Sequence, residues 1–107
     1  MQLLTQKLRK QLPPLESQQG VEDPLVLCSF FLPDAPWHWY PFEFDGDDTF
    51  FGLVTSVFGQ ELCTFCLSGL QMTRGFFGMA VERDLFFSPK PLSEVRKLHQ
   101  PIEGERS

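Results

Sequence analysis

Apolar residues along the chain switch between a helical and an extended rhythm, and the switches mark the elements. Leu4, Leu8 and Leu12 recur at every fourth position, so one apolar stripe runs down a short helix over Gln6 to Leu12. Thr5 stands at its cap and Pro13-Pro14 stops it. So short a helix is marginal alone and must pack on the rest of the fold. Glu16 to Pro24 reads as a loop, and Leu25 to Leu32 (LVLCSFFL) as a strand buried on both faces. After the Pro33–Pro36 turn, Trp37 to Phe44 alternates. His38, Tyr40, Phe42 and Phe44 form the more apolar face, and Trp37, Trp39, Pro41 and Glu43 the other. Pro41 cannot donate to a ladder, which predicts an edge or a bulge there.

Asp45-Gly46 between apolar runs predicts a hairpin turn, because Gly accepts a positive φ without steric cost. Thr49 to Phe58 follows as a strand apolar on both faces, then a Gly59-Gln60 turn and a strand over Glu61 to Leu67. Ser68 to Arg74 reads as a short helix capped by Ser68, and Met79 to Phe87 contains a further short strand. A brief helix capped by Ser93 ends the ordered part, with Glu94 in its first turn and Arg96, Lys97 and His99 near its end. Together these predict an α+β fold. An antiparallel four- to five-stranded meander carries an N-terminal helix and short C-terminal helical segments. Residues 1–99 form a single domain, and 100–107 a frayed polar tail.

Charge changes the picture more than composition does. Lys and Arg are absent from 11 to 73, an interval that holds nine of the fourteen acids, and the net charge is −5. Such a surface repels phosphate and attracts cationic partners, so direct nucleic-acid binding is not expected. No apolar run approaches the roughly 18 residues of a membrane span, and no signal sequence is evident, which places the chain in the cytoplasm. There the three Cys (Cys28, Cys63, Cys66) are expected as thiols.

Pro36 to Phe58 gathers two Trp, one Tyr, five Phe and four acids. Glu43, Asp45, Asp47 and Asp48 cluster at the turn. Their spacing is not that of a calcium loop, and alternate strand residues split them between faces. Cys63-Thr-Phe-Cys66 lacks the second ligand pair that zinc requires. No metal, cofactor or catalytic residue is therefore assigned. Each Phe-Phe doublet puts one ring on each face of a strand. A sheet with few helices then leaves rings exposed, or covers them with Pro89–His99 or with a partner.

The strings FFLPDAPWHWYPFEFDGDDTFFGLV and VERDLFFSPKPLSEV, with the opening LLTQKLRKQLPPL, resemble the uncharacterised family called domain of unknown function 2958. The resemblance covers about residues 3–95. It implies a small bacterial protein carried on plasmids, integrative elements and phages, and it implies no catalytic residues. Small anti-defence proteins, anti-CRISPR proteins among them, travel on such elements. The expected function is a non-enzymatic inhibitor that occludes a basic surface of a host protein, such as a CRISPR–Cas or other nucleic-acid-binding complex. Its contact residues would be Asp34, Trp37, Trp39, Tyr40, Glu43, Asp45, Asp47 and Asp48. Two alternatives stand beside it: a small metal-dependent enzyme using the Glu43–Asp48 acids, and a homodimeric accessory protein joined through an open sheet face.

Overall fold

The computed structural model describes residues 2–100. The expected tail beyond Gln100 lies outside the described residues. Helix α1 (Gln6–Gln11) begins where Thr5 Oγ1 accepts a hydrogen bond from Leu8 N at 3.2 Å. Strands β3 (His38–Phe44), β4 (Thr49–Ser56) and β5 (Gly59–Cys66) then form a meander. Strands β2 (Phe30–Phe31) and β6 (Glu82–Arg83) complete a five-stranded antiparallel sheet in the order β5-β4-β3-β2-β6. Helix α2 (Leu67–Met72) follows β5 directly, and α3 (Leu92–Leu98) closes the fold. The α+β architecture, the meander and the helices at both ends match the sequence expectation.

Several boundaries differ. The run Leu25–Leu32 is not one strand. Its first part, β1 (Leu25–Val26), pairs with β7 (Lys90–Pro91) in a separate two-stranded ribbon, and only β2 joins the main sheet. An unbroken apolar run signals burial but not which core each residue enters. Val26 enters one core and Phe30 the other. β4 ends at Ser56, so the tight turn is Val57-Phe58, and Gly59, at φ 114°, opens β5. The expected strand within Met79–Phe87 contracts to β6 plus an isolated Arg74–Ala80 bridge.

The two faces of the sheet carry two cores. On one, Leu4, Leu12, Leu67 and Leu70 pack on Phe30, Trp39, Phe44 and Phe50. On the other, Val26, Leu92 and Val95 pack on Tyr40, Phe42 and Leu53. The C-terminal segment therefore packs on the second face, leaving Leu62 at its β5 margin exposed.

A bulge decides which rings go where. Pro41 pairs with Gly52 but Glu43 pairs with Phe51, so Phe42 is the extra residue. The slip moves Phe44 to the Trp39 side, where its ring stacks on Phe50 at 4.6 Å, and turns Glu43 to the Phe51 side. Strict alternation had placed both residues on the opposite faces. Pro41 is thus accommodated in a central, bulged strand rather than at an edge.

Candidate functional site

The eight expected contact residues divide between the two ends of the β3–β4 hairpin. Asp34 and Trp37 lie before β3, whereas Glu43, Asp45, Asp47 and Asp48 lie at its far end. Seven strand residues at about 3.3 Å each hold the two groups roughly 20 Å apart. Tyr40 and Trp39 lie between them and are buried, on opposite faces of the sheet.

At the acidic end the carboxylates bind main-chain N–H groups. Glu43, 3% exposed, accepts from Glu16 N and Gln18 N, both at 2.8 Å, and so folds the 14–20 loop onto the sheet. That grip holds Glu16 at φ 69°, an uncommon conformation for a residue with a side chain. Asp45 Oδ1 accepts from the N–H groups of Asp47, Asp48 and Thr49 at 2.8, 3.0 and 3.0 Å. The hydrogen bonds from Asp47 N and Thr49 N are the main reason its carboxyl lies below the ordinary range. Asp48 accepts from Ser68 N at 2.8 Å and Ser68 Oγ at 2.7 Å, fixing the start of α2. Ser68, read from the sequence as the helix cap, is thus the residue held in place. Asp47 is exposed, and its main-chain N–H donates within the turn.

At the other end Asp34 Oδ2 accepts from Phe77 N at 2.7 Å and from Met79 N at 3.3 Å. This anchors the Gly75–Gly78 turn and pushes Phe76 and Phe77 outward, 78% and 88% exposed. Trp37 is half-buried, stacked on Trp39 with ring centroids 6.0 Å apart. One cleft, about 290 Å³, lies between Trp37 and Phe76, floored by Leu32, Ala35 and Trp39. A second, about 280 Å³, lies between Trp37 and the turn residue Phe58, 90% exposed, with Glu61 on its rim. Trp37 therefore divides an aromatic furrow that runs from Phe58 to Phe76. Phe58, Phe76 and Phe77 were not among the expected contact residues. The doublet at 76–77 was visible, but the Asp34 anchor that exposes it joins residues 43 apart and leaves no local trace.

Arg74 and Lys90 engage groups other than these acids. Arg74 donates to the Gln71 and Thr73 carbonyl oxygens at 2.9 Å, and Lys90 lies 4.9 Å from the Phe87 ring centroid. Arg83 donates to the carbonyl oxygens of Gln2 and Leu3.

A polar knot lies on the second face. Tyr40 Oη lies 2.6 Å from His99 Nε2, and the His38 ring centroid lies 4.9 Å from that of His99. Burial pushes the Tyr40 hydroxyl up to about 12 and holds both imidazoles below their ordinary value. Burial also pushes the Cys28 thiol up to about 12, so it packs as an apolar group. Cys28, Cys63 and Cys66 are all free thiols. Among the described residues no three or more His, Cys, Asp or Glu are grouped to hold a metal ion. No described helix is long and apolar enough to cross a membrane.

These features define a small α+β domain whose antiparallel sheet is packed on both faces and edged by an aromatic furrow. The chain belongs to the family described as "Protein of unknown function (DUF2958)", which it matches over residues 3–102. Neither the curated proteins nor the solved structures contain a match.

Proposed function

We propose that the chain is a small, acidic, non-enzymatic interaction protein that occludes a basic surface of a nucleic-acid-binding partner. The observation that carries this reading is the furrow at Trp37. Half-buried Trp and exposed Phe rings around open clefts are the anchors from which interface cores are built. Trp37 and Phe58 sit in the stretch from 11 to 73 that has no Lys or Arg, and Arg74 lines only the cleft beside Phe76, so the approach of a cationic surface is favoured from the Phe58 side and from the acidic turn. Carriage on a mobile element would make host defence complexes, CRISPR–Cas among them, natural targets. The metal-enzyme alternative loses support, because Glu43 and Asp48 use both carboxylate oxygens, and Asp45 its Oδ1, to accept hydrogen bonds that hold the fold.

The test is capture from a nuclease-treated bacterial lysate at low and high salt, with the wild type, Trp37→Ala and Asp47→Lys. A nucleic-acid-binding protein retained by the wild type, released by salt and lost with both variants supports the proposal. Capture indifferent to Trp37→Ala, Asp47→Lys and salt would refute it.

A further inference from the structure

Strand β5 has an open side. It stands at one edge of the sheet and runs eight residues, whereas the opposite edge strand, β6, has two. A long row of unpaired N–H and C=O groups is a template for another strand. The usual deterrents are missing from Gly59–Cys66: it holds no Pro, Lys or Arg and one charge, Glu61. Glu61, Leu62, Thr64 and Cys66 are exposed along it.

The register with β4 fixes which groups are available. Ser56 and Gly59 flank a two-residue turn and form a hydrogen-bonded pair. Bonding alternates from there, so Glu61, Cys63 and Phe65 direct their main-chain groups at β4. Gln60, Leu62 and Thr64 direct theirs outward, as does the Cys66 N–H. An incoming antiparallel strand must offer outward groups with the same two-residue rhythm, and a second β5 does so.

We propose that two copies of the chain pair antiparallel through β5, about a two-fold axis at Cys63, into one continuous ten-stranded sheet. This axis pairs Leu62 with the partner's Thr64 and Gln60 with the partner's Cys66, using every outward residue. An axis at Leu62 would leave Cys66 unused. The chosen axis also sets Glu61 opposite the partner's Phe65. The two Glu61 positions are then four residues apart in register, about 13 Å along the strand. The pairing is isologous and closes after two copies, because the remaining edges are the two-residue β6 strands. It rests on the edge and not on the binding role proposed for the furrow, although Gln60 and Glu61 of this edge also line the cleft between Trp37 and Phe58.

The two Cys63 residues face each other at a non-hydrogen-bonded position, where Cα atoms approach to about 4.5 Å. That spacing suits a disulfide. In the test, light scattering on the reduced protein reads the mass, and diamide reads the register. Diamide takes one proton and one electron from each thiol, becoming a hydrazine as the S–S bond forms. The expected mass is twice 12.3 kDa, falling to 12.3 kDa in Thr64→Pro, which removes an outward N–H and leaves the bonds to β4 intact. Leu62→Lys, at an exposed position, makes the same test without altering the backbone and must also give 12.3 kDa. Diamide should link the dimer in Cys66→Ser and fail to do so in Cys63→Ser. A wild-type mass of 12.3 kDa at all concentrations overturns the proposal, as does a dimer that survives Leu62→Lys or one linked through Cys66.

Discussion

Tyr40 Oη and His99 Nε2 lie 2.6 Å apart and fasten the end of α3 to the middle of the sheet. The contact joins residues 59 apart in sequence and stands beside the core that α3 completes. His38 lies against both rings, stacked on Tyr40 at 5.9 Å and tilted against His99 at 4.9 Å. Asp84 opposes burial at His38 by favouring its protonated form, and His38 reinforces burial at His99.

The knot makes stability depend on pH near neutrality. Both imidazoles have folded-state values below 6.5, so as pH falls the unfolded chain takes up protons first. Their contribution is fully present above 6.5, is lost as pH falls through and below it, and levels off once the folded rings protonate. Asp23 and Asp45, both held below 3.8, lose their contributions only at much lower pH. Tm should therefore be lower at about pH 5.5 than at about pH 7.5, and His99→Gln should narrow the gap. A Tm unchanged between these values contradicts the assignment.

Glu43→Gln tests the buried carboxylate. The amide keeps one acceptor oxygen, so Glu16 N or Gln18 N would face an NH₂ group. A lost charge-assisted bond at a buried site costs about 1.5–3 kcal/mol, read as a lower urea midpoint. Glu43→Gln with wild-type stability would show that the 14–20 loop does not depend on this grip.

Gly52→Ala should be among the most damaging single changes. A Cβ there would meet Pro41 Cα at 2.6 Å and the Tyr40 carbonyl carbon at 2.8 Å, main-chain atoms that cannot step aside. Opening the β3–β4 ladder at the bulge costs on the order of 1–3 kcal/mol, measured by urea denaturation. Gly20→Ala is the control, since its Cβ would meet nothing within 4 Å, and it should be near neutral.

The hairpin was legible because Asp45-Gly46 and the alternation on either side are local signals, and Gly46 does adopt φ 88°. The bulge was legible only in part. Pro41 announced an irregularity, but not that one extra residue would turn Glu43 and Phe44 to exchanged faces. The Phe doublets divided. Those at 30–31 and 50–51 lie in strands, while 76–77 and 86–87 lie in turns where alternation has no meaning. Least legible was the work of the acids. Asp34, Glu43 and Asp48 accept hydrogen bonds from Phe77, Gln18 and Ser68, partners 43, 25 and 20 residues away, and a one-dimensional charge pattern carries none of those pairings.

Asp47 and Asp48 are neighbours with different duties, and separating them distinguishes surface charge from structural charge. Asp48 holds both polar groups of Ser68, supplying from another element the cap that Cys66 does not provide for α2. Losing such a cap costs about 1 kcal/mol, so Asp48→Ala should lower the urea midpoint with m unchanged. Asp47 is exposed, and its main-chain N–H bond to Asp45 survives truncation of its side chain, so Asp47→Ala should leave stability within about 0.5 kcal/mol. Reversing both residues together would confound lost charge with a loosened α2. The single change Asp47→Lys should keep the wild-type midpoint while weakening association with a cationic partner, more at low salt than at high. If Asp47→Lys and the wild type bound such a partner equally at low salt, this end of the hairpin would take no part in recognition, leaving the Trp37 furrow to act alone.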